Sequence, residues 1–131
     1  SPEAVAMLLA IGMQESRFIH RRQINGPARG YWQFEVMGVS GVLRHDASRT
    51  HARDVLMRLN YASYDEGDVW RAIEHNDVLA AAIARLLLWT HPKRLPSDKD
   101  AAWDYYLACW RPGKPHRRTW DAFYATAWEA V

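Results

Sequence analysis

Apolar positions along the chain recur mostly at three- and four-residue intervals, and the two-residue alternation of a half-buried strand is almost absent. The pattern predicts helices separated by short polar loops. The first runs from about Pro2 to Phe18: Ser1 can cap it, Pro2 fits its first position, and Glu3 complements the positive end of its dipole. Residues 19–34 contain Asn25-Gly26-Pro27 and Gly30 and read as irregular, the one region near 19–35 where a small β element is expected. Gly38 to His45 predicts a short helix, Ser48 is expected to cap a longer one through Asn60, and Asp65 to Gly67 read as a break before a helix from Asp68 to about His75. Asn76-Asp77 is a capping signal for Val78 to Thr90, a segment apolar nearly all round except for Arg85, as expected of a central helix buried on most sides. A two-proline loop, a helix from Lys99 to Trp110, a Pro/Gly loop from Arg111 to His116 and a last helix capped by Thr119 complete the chain. The expected class is all-α, or mainly α, in a single domain over residues 1–131 without a repeat or linker.

Composition narrows this further. At 131 residues, 49% hydrophobic and 24% charged, the chain has the make-up of an ordinary globular domain. A chain of this size buries roughly two thirds of its unfolded surface, so a core needs neither disulfide nor metal. The one cysteine, Cys109, cannot form an internal bridge, which excludes the disulfide-stapled class, and it reads as a small buried hydrophobe. No stretch reaches the ~20 apolar residues of a membrane span, and Ala4 to Met13 follow an acidic start rather than the basic region of a signal peptide. The formal charge of +2 is too small to mark a dedicated nucleic-acid binder. Seven Trp and six Tyr against three Phe give most of the aromatic content a polar handle.

Glu15 is the first candidate for chemistry. It lies four residues after Ile11 and seven after Leu8, on the face these residues turn inward, at a helix end that opens into a glycine-bearing loop. A carboxyl set half against an apolar wall and half toward a cleft has its charged form disfavoured, as a general acid requires. The alternative is a surface glutamate paired with Arg17, Arg21 or Arg22.

The surroundings of Glu15 are Gln14-Glu15-Ser16-Arg17-Phe18, then Gly26-Pro27-Ala28-Arg29-Gly30-Tyr31-Trp32-Gln33-Phe34. This order resembles the catalytic core of the lysozyme-like superfamily, in particular the soluble lytic transglycosylases and goose-type lysozymes, and small phage or prophage members above all. In that family a glutamate-serine pair ends a buried helix and a glycine, hydrophobic, hydrophobic, glutamine string forms the cleft floor. Gly30-Tyr31-Trp32-Gln33 matches the string with aromatic residues in place of the aliphatic pair. The Ala-rich helix after Asn76 looks like the family's central helix. The segment from Tyr105 to Gly113 occupies the place of its tyrosine-asparagine-glycine motif, with Tyr106 as the best-matched tyrosine, Tyr105 beside it, and no asparagine.

The resemblance implies a peptidoglycan-cleaving glycosidase, a lytic transglycosylase or a lysozyme, acting on the β-1,4 bond between N-acetylmuramic acid and N-acetylglucosamine. Glu15 would protonate the glycosidic oxygen and, in the transglycosylase route, then take the proton of the muramyl 6-hydroxyl. A hydrolytic route needs a second carboxylate to position water or stabilise the oxocarbenium ion. Glu35 is the best candidate for it and Asp46 the next, while Glu35 could equally be a solvated residue or a partner for Arg29. Ser16 would bind a substrate acetamido group or cap its helix, Gln33 would bind an N-acetyl group or brace its loop, and Tyr31, Trp32, Tyr106 and Trp110 would line the cleft. Trp70, Trp89, Trp103, Trp120 and Trp128 are expected in the core.

Arg17, Arg21, Arg22 and Arg29 form one basic strip and Arg111, Lys114, Arg117 and Arg118 a second. If both flank the cleft they would attract an anionic polymer. The six scattered histidines show no metal-binding spacing, so no metal and no cofactor are expected. The expected partner is the peptidoglycan glycan strand, with neither nucleic acid nor membrane, and the protein itself is expected to be a monomer. Synthesis in the cytoplasm and phage-type delivery to the cell wall follow from the same resemblance. The competing reading is a phage structural or wall-binding protein that keeps the fold with weak catalysis, and a third is helical nucleic-acid binding through the basic strips.

Overall fold

Ser1 Oγ accepts the Ala4 N–H at 3.3 Å and Pro2 opens the first helix, α1 (Pro2–Ser16). The computed structural model describes residues 1–131 and continues with α2 (Val36–Arg44), α3 (Arg49–Arg58), α4 (Glu66–Ile73), α5 (Asp77–Trp89), α6 (Lys99–Trp110) and α7 (Arg117–Glu129). The fold is all-α, with no sheet. No helix is long and apolar enough to cross a membrane.

Several boundaries differ from the sequence expectation, each for a local reason. α1 stops at Ser16, two residues early, because Arg17 and Phe18 both turn into the left-handed region, at φ 55° and 54°. α2 starts at Val36 rather than Gly38, and α3 ends at Arg58 because Asn60 is left-handed. Ser48 precedes α3 but does not cap it with its side chain; the buried hydroxyl donates instead to Val42 O at 2.6 Å. The Asp65–Gly67 segment is the start of α4, not a break: Asp65 Oδ2 accepts the Gly67 and Asp68 N–H groups. α7 begins at Arg117, and Thr119 donates across to Gln14 Oε1 rather than capping. Asn76 caps α5 as expected, accepting the Leu79 N–H at 3.1 Å.

One hydrophobic core draws on all seven helices. α5 contributes Leu79, Ala80, Ile83, Ala84 and Leu88, fully buried, and touches α1, α2, α3 and α4. It is not buried on every side: Val78 is exposed and Trp89, expected in the core, is 52% exposed at the helix end. Trp103 and Trp120 are buried, whereas Trp70 and Trp128 are half-buried against the core. α1 packs most extensively on α7, and α7 on α6. Between α6 and α7 the aromatic rings form a column. Tyr106 stacks on Trp120 at 5.2 Å, Trp120 stacks on Tyr124 at 5.8 Å, and Trp103 packs against both Tyr106 and Trp120. Each such pair adds about 0.5–1.5 kcal/mol beyond its area burial and fixes the ring orientation.

Residues 17–35 hold the fold's β-like pairing, which amounts to two isolated bridges, Arg22 with Arg29 and Arg29 with Phe34. What fixes this segment is the set of indole N–H groups around it. Trp70 Nε1 donates to both Pro27 O and Phe34 O at 3.1 Å, Trp110 Nε1 to Trp32 O at 2.9 Å, and Trp32 Nε1 to Leu8 O at 2.8 Å. Arg22 and Arg29 meet Glu74 at the end of α4, and Arg21 meets Asp77 at the start of α5.

Candidate active site

α1 and α6 both pack on α7, and Glu15, in the last turn of α1, lines a cleft of about 380 Å³. Gln33, Glu35, Tyr106 and Trp110 line the same cleft, as do Arg111 and Lys114 from the loop after α6. A smaller hollow of about 200 Å³ meets it at Gln33, Glu35 and Trp110 and extends toward Met37 and Leu87. The cleft at Glu15 is lined mostly by polar residues and the second hollow mostly by apolar ones.

Tyr106 donates its hydroxyl proton to Glu15 Oε2. Burial raises the Glu15 carboxyl above the ordinary glutamate value, and the Tyr106 hydrogen bond offsets part of that rise. Tyr106 itself is pushed far above the usual phenol value, first by burial and then by the neighbouring Glu15 charge, so it remains the donor. No cation pairs with Glu15: Arg21 and Arg22 are engaged by Asp77 and Glu74, and Arg17 lies over the Phe123 ring. Tyr105, the adjacent alternative, turns the other way and donates to Leu88 O at 2.9 Å.

The other named residues separate into those at the cleft and those away from it. Gln33, left-handed at φ 55°, donates Nε2 to Gly30 O at 3.0 Å, bracing its loop while lining the cleft. Glu35 is exposed, precedes α2 and has no ion-pair partner; Arg29 is held by Glu74 instead. Asp46 does not line the cleft and pairs with Arg49. Ser16 is buried: its hydroxyl donates to Tyr31 O at 2.7 Å and accepts the Phe18 N–H, which is the helix-end role rather than a cleft role. Trp32 is a core residue, 6% exposed, and Tyr31 is packed between the Phe18 edge and the Arg21 guanidinium; neither lines the cleft.

The basic strips do not both flank the cleft. Three of the four arginines of the first are neutralised by Glu74 and Asp77. In the second, Arg117 is bound to Asp100 and Asp121, leaving Arg111 and Lys114 as the unpaired cations on the cleft wall. Gln14, Gln23 and His116 also line it and were not singled out from sequence. Gln14 carried the available signal, a second polar residue beside Glu15 in an apolar helix, and its amide bridges His116 O and Thr119 Oγ. No group of three His, Cys, Asp or Glu side chains is disposed to hold a metal. Cys109 is half-buried, and burial pushes its thiol up to about 11.

What this arrangement can do chemically is donate a proton. A carboxyl that keeps its proton above the ordinary range, held by one neutral donor and lining a polar cleft, has the chemistry of a general acid. No protein-family model, curated protein or solved structure matches the chain.

Proposed function

We propose that the chain is a peptidoglycan-cleaving glycosidase acting on the β-1,4 bond between N-acetylmuramic acid and N-acetylglucosamine, with Glu15 as general acid. The observation that carries this reading is the Glu15–Tyr106 pair lining a polar cleft, with the Glu15 carboxyl raised by burial and free of any cation. In the transglycosylase route Glu15 protonates the leaving oxygen and then, as carboxylate, takes the muramyl 6-hydroxyl proton, so one carboxyl completes the reaction. In the hydrolytic route Glu35, unpaired on the same cleft, activates water. Trp110 offers an aromatic wall to sugar C–H groups, and Arg111 and Lys114 attract the carboxylates of the peptide stems. The place of action on this reading is the bacterial cell wall.

Mass spectrometry of purified sacculi after digestion tests the proposal. Anhydromuramyl ends identify the transglycosylase and new reducing ends the hydrolase, and Glu15→Gln should lower either rate by about 10²–10⁴-fold. Clearing that persists undiminished in Glu15→Gln, or no soluble fragments from the wild type, overturns it.

A further inference from the structure

A hollow of about 740 Å³ shares no lining residue with the Glu15 cleft. It lies at the C-terminal end of α5 and under the loop to α6, within the size range of small-molecule sites. Consecutive residues of α6 serve the two places: Tyr106 turns to Glu15 and Tyr105 to this hollow.

Three features give it a chemical preference. Arg85, Lys93 and Arg94 line it without an acidic partner, against Glu3 as the one carboxylate of the lining. Trp89 stands on its wall 52% exposed, with the Arg85 guanidinium 5.7 Å from its ring centroid and the His51 edge beside it. The exposed ring and the unpaired cations together set an apolar face beside positive charge. The loop is also fixed in place. His91 stacks on Tyr105 at 4.0 Å, His91 Nδ1 accepts the Lys93 N–H at 3.0 Å, and the Tyr105 hydroxyl reaches Leu88 O and Lys93 O. Burial and the Lys93 charge lower His91 below the ordinary histidine value, so its ring is neutral and belongs to the apolar wall.

We propose that this hollow binds an organic anion, a carboxylate or phosphate carried on an apolar or aromatic body, with Arg85, Lys93 and Arg94 taking the acid group and Trp89 covering the body. The site stands apart from the glycosidase reading and does not depend on it.

Titration of the full chain with 1-anilinonaphthalene-8-sulfonate, an anion on an aromatic body, tests the site. One saturable site is expected, weakened at least tenfold in Arg85→Gln/Lys93→Gln/Arg94→Gln and in Trp89→Ala, and unchanged in Glu15→Gln. Lys93→Gln/Arg94→Gln, confined to two exposed loop residues, gives the same direction with less risk to folding, which thermal melts check. Adenosine 5′-monophosphate and N-acetylphenylalanine then compete as phosphate and carboxylate sources. Displacement by either supports the site and identifies the preferred acid group, while adenosine and N-acetylphenylalaninamide should displace nothing. Undiminished binding in the charge variants, displacement by the neutral compounds as strong as by the acids, or displacement by none of the four overturns the proposal.

Discussion

The Phe18 ring lies directly on Gly12, so that a Cβ added to Gly12 would stand 2.0 Å from Phe18 Cζ. This contact turns the chain back after Glu15: Phe18 is left-handed, and its ring meets Tyr31 and Trp32 edge-on at 5.4 and 5.6 Å. Gly12→Ala gains about 1 kcal/mol of helix propensity but forces a rigid, packed ring to move, at a cost of about 1–3 kcal/mol. The net expectation is destabilisation in the wild type and stabilisation in a Phe18→Ala background, where the ring is gone. Urea denaturation of the four chains measures the coupling. Equal effects of Gly12→Ala in both backgrounds would mean that the ring does not define this turn.

Tyr106 is held at Glu15 by the rings stacked behind it, so its hydroxyl can be removed with little movement of the ring. The hydrogen bond to Glu15 lowers the carboxyl's proton affinity, and Tyr106→Phe should therefore raise the Glu15 value further above the ordinary range. Carbon-detected NMR titration of the Glu15 carboxyl reads this without any substrate. If cleavage is observed, the alkaline limb of its pH profile should move upward in the variant with it. A downward or absent shift would show that the hydroxyl does not stabilise the carboxylate.

Trp70 reaches the irregular segment with a single N–H shared between Pro27 O and Phe34 O, and the Arg29 guanidinium lies 4.8 Å from its ring centroid. Trp70→Phe keeps a ring but leaves both carbonyls without this donor, at a cost of about 1–2 kcal/mol. Amide exchange should quicken at Arg29, Gly30 and Phe34, whose N–H groups are bonded within the segment or across it. Exchange that quickens uniformly over the whole chain instead would mean that the indole supports the global fold rather than this loop.

The helices were legible in sequence because caps and apolar periodicity are local. Ser1 and Asn76 do in space what their residue types suggest. Asp65-Glu66-Gly67 is ambiguous in sequence because the acid-glycine run that marks a turn also suits a first helical turn, and only the accepted N–H bonds separate the two. Glu15 is legible from its inward face at a helix end and Tyr106 from its place in the motif order, yet which way consecutive residues face in an irregular stretch has no period to reveal it. Trp32 accordingly points into the core where a cleft position was expected. Trp89 was readable in principle, since it falls four residues after Arg85 on the same helical face. The pairing of Arg21 and Arg22 with Asp77 and Glu74 spans more than fifty residues and leaves no local signature.

Stability should depend on pH in two opposed limbs, because the titrating carboxyls are shifted in opposite directions. Glu15 is raised in the fold by burial, so its contribution is fully present below the unfolded value of ~4.3 and is lost as pH rises through its higher folded value. Glu74 and Asp77 are lowered, above all by hydrogen bonds from Arg22 and Arg21 respectively. Their contributions are present above the unfolded values of ~4.3 and ~3.9 and are lost as pH falls through their lower folded values. Glu15→Gln should therefore raise the urea midpoint near neutral pH and converge on the wild type below about pH 4. A Glu74→Gln/Asp77→Asn double variant should lower the midpoint near neutral pH and flatten the acid limb. Denaturation across this range measures both. A Glu15→Gln curve running parallel to the wild type at every pH would show that ionising Glu15 costs the fold nothing, and the basis for its use as an acid would go with it.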